Sequence, residues 1–342
     1  MEPPALRIAM LGPIAWRTPP RHYGAWETVV HNLTEGLVAR GCNVTLFATA
    51  DSVTNAELVA VCPRPYEEDR ALEPKVWECL HIAACMERAA EFDLIHNHYD
   101  FLPLTYSRLL PIPVLTTVHG FSSDQVRLVY RRYRELPYIS ISDADRDPHL
   151  NYVATVYNGI KLEQFTFNAV GGDDLIFLGR FHPEKGPHLA IEVAQRTGRR
   201  LVMAGIIQDQ HFFDEAIAPH IDGQQIVFIG PVGPATRNQM FSSGAALLHL
   251  VTQPERFGLV MPEALACGVP VIGIGLGSVP EVITDGVSGF VVDSLEQAVL
   301  AVGRLHEIER ATCRSEVERR FSVEGMVDGY LQAYAAVISN AF

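Results

Sequence analysis

The sequence predicts an α/β protein built from two doubly wound, Rossmann-like domains, each with a parallel β-sheet between helices. Three observations support this prediction. The chain has 342 residues, which is long for one hydrophobic core and ample for two domains of ordinary size. Apolar segments of strand length alternate with segments of helical periodicity along the chain. The alternation pauses at 158–172, a polar stretch with three glycines, and then restarts.

The first half of the chain opens with a strand, a loop, a helix and a second strand. Residues 6–11 form an apolar run that ends at a Gly-Pro pair, and 27–40 have apolar residues at helical spacing. Gly41 is expected to end this helix, and 43–47 to form the next buried strand. Further buried strands are expected at 93–96, 114–118 and 138–141. Strands that alternate with helices form βαβ units and therefore a parallel sheet.

The second half repeats the alternation and is expected to form the second sheet. Its strands are expected at 175–179, 200–204, 226–230, 245–250, 269–273 and 290–292. The pattern predicts an N-terminal domain over 1–165, a C-terminal domain over 166–321, and a final amphipathic helix within 322–342 that packs back on the first domain. Open parallel sheets bind ligands beyond the carboxyl ends of their strands, so a cleft between the two sheets is the expected active site.

The composition is typical of an acidic, soluble, globular protein. Nearly half of the residues are apolar, a fifth are charged, and the formal net charge is −13. Phosphate contacts need a cationic surface, so nucleic acid is not an expected partner, and broad adhesion to anionic membranes is disfavoured. We expect no signal peptide and no membrane-spanning segment, because no apolar run is long enough. The six cysteines form no CxxC pair, which favours reduced thiols in a cytoplasmic protein.

The segment from Pro254 to Ile272 follows a predicted strand and leads into a helix. Glu255 is expected in the loop before the helix and Glu263 about one to two turns inside it, with seven residues between them. This spacing is too wide for two carboxylates that share one proton. It suits two separate hydroxyl groups of one extended ligand, each donating to a charged acceptor. Gly258 lets the backbone approach a ligand closely, and the free N–H groups of a helix start favour an anion.

A second segment, from Gly179 to Gly186, also follows a strand and precedes a helix, and it contains Arg180 and Lys185. Arginine binds phosphate through two parallel hydrogen bonds, while lysine acts as a point charge. A diphosphate leaving group gains charge as its bond breaks, so cations beside it stabilise the transition state more than the ground state. By itself the segment is compatible with a phosphate-bearing ligand or with two solvated cations at a helix start.

These two segments resemble the signatures of glycosyltransferase family 4, whose members are retaining enzymes with the GT-B fold. The first is similar to the family's E-x7-E segment and the second to its G-R-x-x-x-x-K-G segment. The resemblance implies that Glu255 contacts the transferred sugar and that Glu263 accepts hydrogen bonds from the ribose of a nucleotide-sugar donor. It also implies that Arg180 and Lys185 hold the pyrophosphate. The backbone amides expected to line the sugar and phosphate are those of Phe257, Gly258, Leu259 and Val260.

Three further positions are similar to the family pattern. His119 follows a predicted strand of the first domain, where the family has a histidine that faces the donor sugar, so we expect it to bind and position that sugar. Gly24 lies in a segment, Tyr23 to Glu27, that resembles the family's Gly-Gly-x-Glu loop, although Ala25 replaces the second glycine and tolerates positive φ poorly. Glu281 matches a family glutamate that is expected to support the nucleotide.

The resemblance also implies the course of the reaction. In a retaining transfer the acceptor hydroxyl attacks from the face that the leaving group departs, and a leaving phosphate oxygen can take the proton. No protein base, metal or other cofactor is therefore expected. The expected partners are a nucleotide-diphosphate sugar and a hydroxyl of a small molecule or oligosaccharide, with the first domain on the acceptor side. The compact chain indicates a bacterial tailoring enzyme of antibiotic or polysaccharide biosynthesis.

Two alternatives remain open at this point. One is an epimerase or hydrolase of the same fold that acts on nucleotide sugars, and the other is a protein that binds nucleotide sugars without catalysis. A nicotinamide-dependent dehydrogenase is disfavoured, because no G-x-G-x-x-G segment follows the first predicted strand.

Other patterns have simpler interpretations. Asp143 and Asp145 form a D-x-D sequence that could hold a metal, but we expect them at a helix start, where aspartate caps the helix. His96 and His98 have ligand-like spacing but no further ligands nearby, so they are expected to pack or to line the acceptor side. A basic run consists of Arg127, Arg131, Arg132 and Arg134. This run predicts a solvated face or, alternatively, a site for an anionic or lipid-linked acceptor.

Overall fold

The computed structural model describes residues 5–21 and 24–339, which form two compact units. The first unit comprises the chain up to Gly159 and the C-terminal stretch from Val323 onwards, and the second comprises Ile160–Ser322. The sequence pattern placed this boundary a few residues later, between 165 and 166. It lies earlier because Ile160 already pairs inside the second unit, where its N–H donates to the carbonyl of Phe321 at 2.9 Å.

Strands and helices alternate along both units. The strands are β1 (Arg7–Leu11), β2 (Asn43–Phe47), β3 (Glu57–Val59), β4 (Leu94–Asn97), β5 (Val114–Val118), β6 (Tyr138–Ser140), β7 (Tyr152–Thr155), β8 (Asp174–Leu178), β9 (Leu201–Ala204), β10 (Ile226–Phe228), β11 (Gly244–His249), β12 (Val271–Ile274) and β13 (Gly289–Val292). The α-helices are α1 (Ala25–Ala39), α2 (Pro74–Glu87), α3 (Val126–Arg132), α4 (Pro187–Thr197), α5 (Gln210–Ala216), α6 (Pro234–Ser242), α7 (Val260–Ala266), α8 (Val279–Val282), α9 (Leu295–Gly303), α10 (Arg310–Arg320) and α11 (Val323–Ser339). Short 3-10 helices lie at Ala89–Glu91, Leu102–Leu109, Leu162–Gln164, Pro183–Lys185, Ala218–His220 and Leu305–Glu307.

The first unit contains a parallel sheet with the strand order β3-β2-β1-β4-β5-β6-β7. Strand β1 pairs with β2 on one side and with β4 on the other, both in parallel. Every residue of β4 and β5 is buried, because helices cover both faces of such a sheet, and this burial explains their continuous apolar sequences. The residues that follow β1, β4 and β5 meet at one edge of the sheet, where a doubly wound fold binds its ligands.

The second unit contains a parallel sheet with the strand order β10-β9-β8-β11-β12-β13. Strand β8 lies between β9 and β11, so the chain changes direction across the sheet at this point. The carboxyl ends of β8 and β11 are therefore neighbours at the topological switch point, where ligands of open α/β sheets bind. The parallel sheets expected from the sequence are confirmed in both units.

Helix α11 returns to the first unit and packs on α1. Gly36 of α1 makes this approach possible, because a Cβ atom at this position would lie 2.4 Å from a methyl group of Val327. The helix carries Tyr330 and Tyr334 into the interior of the unit, where both are fully buried. It therefore contributes polar groups as well as apolar surface to the core of the first unit.

Two strands of the first sheet have no counterpart among the strands expected from the sequence. They are β3 and β7, which form the two edges of the sheet. Both are short, and none of their residues is fully buried. An edge strand of this kind lacks the apolar run by which the central strands were identified.

Candidate functional site

The polar groups of the second unit are centred on the carboxylate of Glu255. Its Oε2 atom lies 2.6 Å from Nζ of Lys185 and 3.0 Å from Nε2 of His249. The side chains of Glu255 and His249 are 8% and 7% exposed, and that of Lys185 is 23% exposed. The structure therefore joins the two segments that were expected to bind the donor, and it adds His249, which the sequence analysis missed.

The electrostatic surroundings of Glu255 keep its carboxyl group ionised. Burial alone would raise the pKa of Glu255, but the hydrogen bonds and positive charge supplied by His249 and Lys185 outweigh burial. As a result, the pKa of Glu255 lies well below its ordinary value of 4.5. The cluster thus contains a fixed negative charge with a lysine held directly beside it.

Two glycines allow the backbone to approach this cluster closely. Gly277 has φ of 63°, and a Cβ atom on it would lie 2.2 Å from the carbonyl oxygen of Glu255. Gly186 follows Lys185 with φ of 67°, and a Cβ atom there would lie 1.9 Å from the carbonyl oxygen of Leu250. Both positions combine a left-handed backbone with a tight contact, so only glycine fits them.

The second glutamate of the E-x7-E segment has its own cationic partner. Glu263 Oε1 accepts a hydrogen bond of 2.9 Å from Nη1 of Arg237, a residue of α6. Burial raises the pKa of Glu263, and the positive charge of Arg237 opposes that rise. Helix α7 begins only at Val260, so Glu263 lies in its first turn and not one to two turns inside it as predicted.

Arg237 is a site residue that sequence reasoning missed. Its Nε atom is buried and has no hydrogen-bond partner among residues 5–21 and 24–339. Its guanidinium lies 5.0 Å from the centre of the Phe165 ring. The surrounding α6 sequence is polar, and such a sequence predicts that its arginine lies on a solvated helix face.

The residues between the two glutamates form the start of α7. The side chain of Phe257 is buried, and its ring lies 5.7 Å from that of Phe321, so it belongs to the core. Gly258 has φ of 73° and precedes the helix. Leu259 is the N-cap residue and Val260 the first helical residue. The first N–H groups of a helix have no intrahelical acceptor and can donate to a ligand.

Two other predicted residues of the second unit make contacts with groups outside the Glu255 cluster. Arg180 follows β8 and donates from its guanidinium to the side-chain oxygen of Gln208. Glu281 lies in α8, and its backbone carbonyl accepts a hydrogen bond from Arg320. The N–H of Ser278, just before α8, donates to the carbonyl of Glu255 at 2.9 Å. These contacts connect α8 to the Glu255 loop through the backbone.

In the first unit, His119 directly follows β5, as expected, and it is buried. Its Nε2 atom lies 2.8 Å from Nδ1 of His98. Its ring stacks on that of Trp26, with centroids 5.2 Å apart and an angle of 25° between the planes. Burial lowers the pKa of His119 to about 3, so the imidazole is neutral at neutral pH.

The contact between His119 and His98 is the first of a series of buried hydrogen-bond contacts. Nε2 of His98 lies 3.3 Å from Nδ1 of His96, which in turn lies 2.7 Å from the hydroxyl of Tyr334. Nε2 of His96 lies 2.8 Å from Oγ1 of Thr117. Burial and the neighbouring imidazoles lower the pKa values of His96 and His98 well below the ordinary value. His96 and His98, which were expected to pack or to line the acceptor side, are both buried and form hydrogen-bond contacts that lead from His119 to Tyr334.

The loop before α1 accommodates its departure from the family pattern. Gly24 has φ of 146°, and the next residue, Ala25, is already the first residue of α1. The positive φ therefore falls on glycine, and Ala25 needs none; Tyr23 lies outside the described residues. Glu27 is buried and accepts a backbone hydrogen bond from Trp16, yet burial raises its pKa to about 7.

The other polar patterns have local partners. Asp143 and Asp145 lie in a bend and turn between β6 and β7, so the helix start expected at this point is wrong. Oδ1 of Asp143 lies 3.4 Å from Nε of Arg146. Arg127 and Arg131 both pair with the buried carboxylate of Asp147, at 2.9 and 3.3 Å, so part of the basic run is structural. Within the described ranges, no three or more histidine, cysteine, aspartate or glutamate side chains cluster as metal ligands. No helix in this part of the chain has the length and apolar character needed to cross a membrane.

Two family models match the chain. The model described as Glycosyltransferase Family 4 matches residues 26–164, and the model described as Glycosyl transferases group 1 matches residues 161–319. Together they cover most of the sequence, including His119, Arg180, Lys185, Glu255 and Glu263, whereas Gly24 precedes the first match.

Individual proteins are also similar along most of the chain. The D-inositol 3-phosphate glycosyltransferase of Frankia alni is 26% identical over an alignment that covers 80% of this chain and 83% of the relative. Among solved structures, AviGT4, a glycosyltransferase involved in avilamycin A biosynthesis, is 22% identical with a TM-score of 0.71, and 98% of each chain is covered. Anabaena Alr3699/HepE in complex with UDP and glucose is 18% identical with a TM-score of 0.73, covering 97% of this chain and 100% of that chain. These two similarities show that this chain has the same fold as AviGT4 and HepE.

Proposed function

We propose, from the premise that this chain is a glycosyltransferase of the GT-B fold and belongs to glycosyltransferase family 4, that it transfers a sugar with retention of configuration. The proposed donor is a nucleoside-diphosphate sugar, and the proposed acceptor is a hydroxyl of a small molecule or oligosaccharide. The proposed reaction needs no metal ion. The likeness to AviGT4 supports a place in antibiotic or polysaccharide biosynthesis, and HepE, in complex with UDP and glucose, supports the donor class.

The observation that carries the proposal is the buried contact between Lys185 and Glu255. A free lysine side chain loses up to about 2 kcal/mol of rotamer entropy when it is fixed. Glu255 and the glycine-lined backbone fix Lys185 before any donor arrives. In our proposal this lysine stabilises the negative charge that grows on the diphosphate as the glycosidic bond breaks, and an already oriented cation is effective in that role.

Other residues of the second unit bind the donor in this proposal. The positive charge of Arg237 opposes the rise that burial causes in the pKa of Glu263, and in this proposal Glu263 accepts hydrogen bonds from the ribose hydroxyls. Arg180 binds the diphosphate together with Lys185, and Glu281 supports the nucleotide side. The carboxylate of Glu255 lies next to the transferred sugar. The proposed amide donors to the sugar and phosphate are those of Phe257, Gly258, Leu259 and Val260.

The proposed chemical step uses the donor's own phosphate as the base. The acceptor hydroxyl attacks the anomeric carbon on the face from which the diphosphate departs. The bond from that carbon to the phosphate oxygen breaks, a new glycosidic bond forms, and a leaving phosphate oxygen takes the hydroxyl proton. His119 contributes a neutral imidazole, which can donate or accept one hydrogen bond with a sugar hydroxyl and positions the sugar without adding charge.

A donor and acceptor panel tests the proposal. The purified chain is incubated in excess chelator with UDP-, GDP-, ADP- and TDP-sugars and with simple glycosides and oligosaccharides. Release of nucleoside diphosphate that depends on an acceptor, with the anomeric configuration retained in the product by NMR, is the expected result. An inverted product would refute retention, and activity restored only by magnesium or manganese would refute the metal-free reaction.

Two outcomes of this panel would favour the alternatives. Release of nucleotide, or change of the sugar, without any acceptor would indicate a hydrolase or an epimerase. Tight binding of nucleotide sugars without turnover across the whole panel would indicate a binding protein.

A further inference from the structure

A cavity of about 410 Å³ lies wholly within the first unit. Its aromatic walls are Trp16, Trp26, Tyr66, Tyr99 and Phe101, and its carboxylates are Glu27, Glu78 and Asp100. No lysine, arginine or histidine is found among the described residues that line it. The cavity therefore combines flat apolar surfaces with carboxyl oxygens that accept hydrogen bonds. Polyhydroxylated rings suit this combination because they have apolar C–H faces and hydroxyl donors.

One wall of the cavity is a buried tyrosine beside a carboxylate. Tyr99 is only 7% exposed, and burial, followed by the charge and hydrogen bonding of Glu78, raises the pKa of its hydroxyl. Tyr99 and Glu78 both line the cavity, so they present a hydroxyl and a carboxylate to the hydroxyl groups of a ligand.

The carboxylates of the cavity are held by specific contacts. Glu78 Oε1 accepts a hydrogen bond of 3.1 Å from the hydroxyl of Tyr66. Asp100 Oδ1 accepts one of 2.6 Å from Tyr130. Asp100 also has φ of 70°, in the left-handed region, and its carbonyl accepts a hydrogen bond from the Asn97 amide. Strained backbone of this kind persists where the surrounding structure specifies it, which is common at binding sites.

The cavity is connected to the candidate catalytic histidine within the same unit. Trp26 lines the cavity, and its ring stacks on that of His119. Gly24 and Glu27, on either side of the start of α1, also line it. A ligand in the cavity would therefore contact Trp26, the residue whose ring stacks on that of His119.

We propose that this cavity binds the acceptor and selects a polyhydroxylated ring that carries no anionic group. This inference rests on the proposed function, since it assigns the acceptor class of the same reaction. A phosphate or carboxylate on the ring would be repelled by Glu78 and Asp100 and would find no cation among the described lining residues. The relative from Frankia alni, by contrast, is named for D-inositol 3-phosphate.

Tryptophan fluorescence reports directly on this cavity. The chain has three tryptophans; Trp16 and Trp26 line the cavity, whereas Trp77 packs against the hydrophobic core. In a Trp77→Phe background, the full chain is titrated with myo-inositol, glucose and glucosamine and with inositol 3-phosphate and glucose 6-phosphate. We expect saturable quenching by at least one unphosphorylated ring, with its phosphorylated counterpart binding about tenfold more weakly or worse.

A matched pair of variants tests the role of charge. Glu78→Gln keeps the shape of the side chain. It should reduce the ratio of affinities between the unphosphorylated and the phosphorylated ring by at least about threefold. Glu87→Gln alters an exposed glutamate of the same helix, α2, and should leave the affinity ratio of the two rings unchanged. Equal narrowing in both variants would refute a specific role for the cavity carboxylate.

Two results would overturn the proposal. One is a phosphorylated ring that binds as tightly as its uncharged counterpart or more tightly, and the other is the absence of quenching by every ring. Calorimetry with UDP and GDP separates this failure from failure of the proposed function. Loss of nucleotide binding and turnover would refute the transferase proposal. The ring titration tests only whether the cavity binds an uncharged ring.

Discussion

The Nε2 atom of His119 lies 2.8 Å from Nδ1 of His98, so the candidate catalytic histidine is tied to a second buried imidazole. His98 continues to His96, and His96 to Tyr334 of α11. Burial keeps all three imidazoles neutral, so each contact between two rings needs one nitrogen with a proton and one without. The position of the proton on His119 is therefore coupled to its position on His98 and His96.

This coupling predicts that His98 positions His119. We expect His98→Asn to lower kcat by about 10- to 100-fold with little change in the donor KM, because His119 would lose the partner that sets its tautomer and ring orientation. The space left by the smaller side chain would also admit water. The acid limb of the kcat profile should then move to higher pH, as the pKa of His119 rises from about 3. Steady-state kinetics across the pH range measures both effects.

The control for this prediction is His149→Asn, which changes an exposed histidine of the same unit. It should leave both kcat and the pH profile unchanged. Unaltered kinetics in His98→Asn, or an equal loss in both variants, would contradict the positioning role.

The Lys185–Glu255 contact predicts which kinetic constant changes when the lysine is replaced. If Lys185 acts on the departing diphosphate, Lys185→Gln should reduce kcat by about 100- to 1,000-fold and change the donor KM much less. Arg180→Gln should reduce kcat in the same direction. Single-turnover measurements with a saturating donor isolate the chemical step.

Lys75→Gln is the matched control, because Lys75 is an exposed lysine at the start of α2 in the first unit. It should retain full activity. Normal kcat in both the Lys185 and the Arg180 variants would refute the role of these two cations.

Glu255 should make stability depend on pH in the acid range. Its pKa is lowered on folding, so the unfolded chain takes up its proton at higher pH, and the contribution of Glu255 to stability is lost as pH falls below the ordinary value of 4.5. Glu255→Gln leaves Lys185 without its buried partner and should lower the free energy of unfolding at pH 7 by about 3–5 kcal/mol. Urea unfolding followed by circular dichroism should show this difference shrinking below pH 4.5.

Glu163→Gln serves as the comparison, since Glu163 is an exposed glutamate of the second unit. Its effect on stability should be small at every pH. A difference between wild type and Glu255→Gln that stays constant from pH 7 down to pH 3 would show that the depressed pKa is wrong.

The ends of the central strands show how far the site could be predicted from the sequence. His119 and Arg180 each follow a continuous apolar run, and the carboxyl end of such a strand is where a parallel sheet places ligand-binding groups. His249 also ends a strand, β11, and the same rule could have found it. Nothing local distinguishes it from a packing histidine, however, because its partner Glu255 comes from the following loop.

Partners that come from distant elements limited the prediction further. Arg237 lies on a polar helix, and its role follows only from the approach of α6 to Glu263. His96 and His98 were expected to pack or to line the acceptor side, but their hydrogen-bond contacts to Tyr334 depend on the return of α11 to the first unit. Spacing along the sequence carries no information about either approach.

Glu27 should make the free energy of unfolding depend on pH with the opposite sign to the dependence that Glu255 causes. Burial raises the pKa of its carboxyl to about 7, although backbone N–H groups of Glu27 and Trp16 lower it in part. Between the ordinary pKa of 4.5 and about 7, the folded protein keeps a proton that the unfolded chain has released. The free energy of unfolding therefore falls as pH rises through this window.

The variant Glu27→Gln carries no titrating proton and should escape this loss. Relative to wild type, we expect it to gain about 3 kcal/mol in the free energy of unfolding between pH 4.5 and pH 8, since one pKa unit corresponds to about 1.4 kcal/mol. Urea unfolding at several pH values measures the gain, with Glu67→Gln, an exposed glutamate of the same unit, as the comparison. A difference that does not change with pH would mean that Glu27 is charged in the folded protein at acid pH, as an exposed carboxylate is.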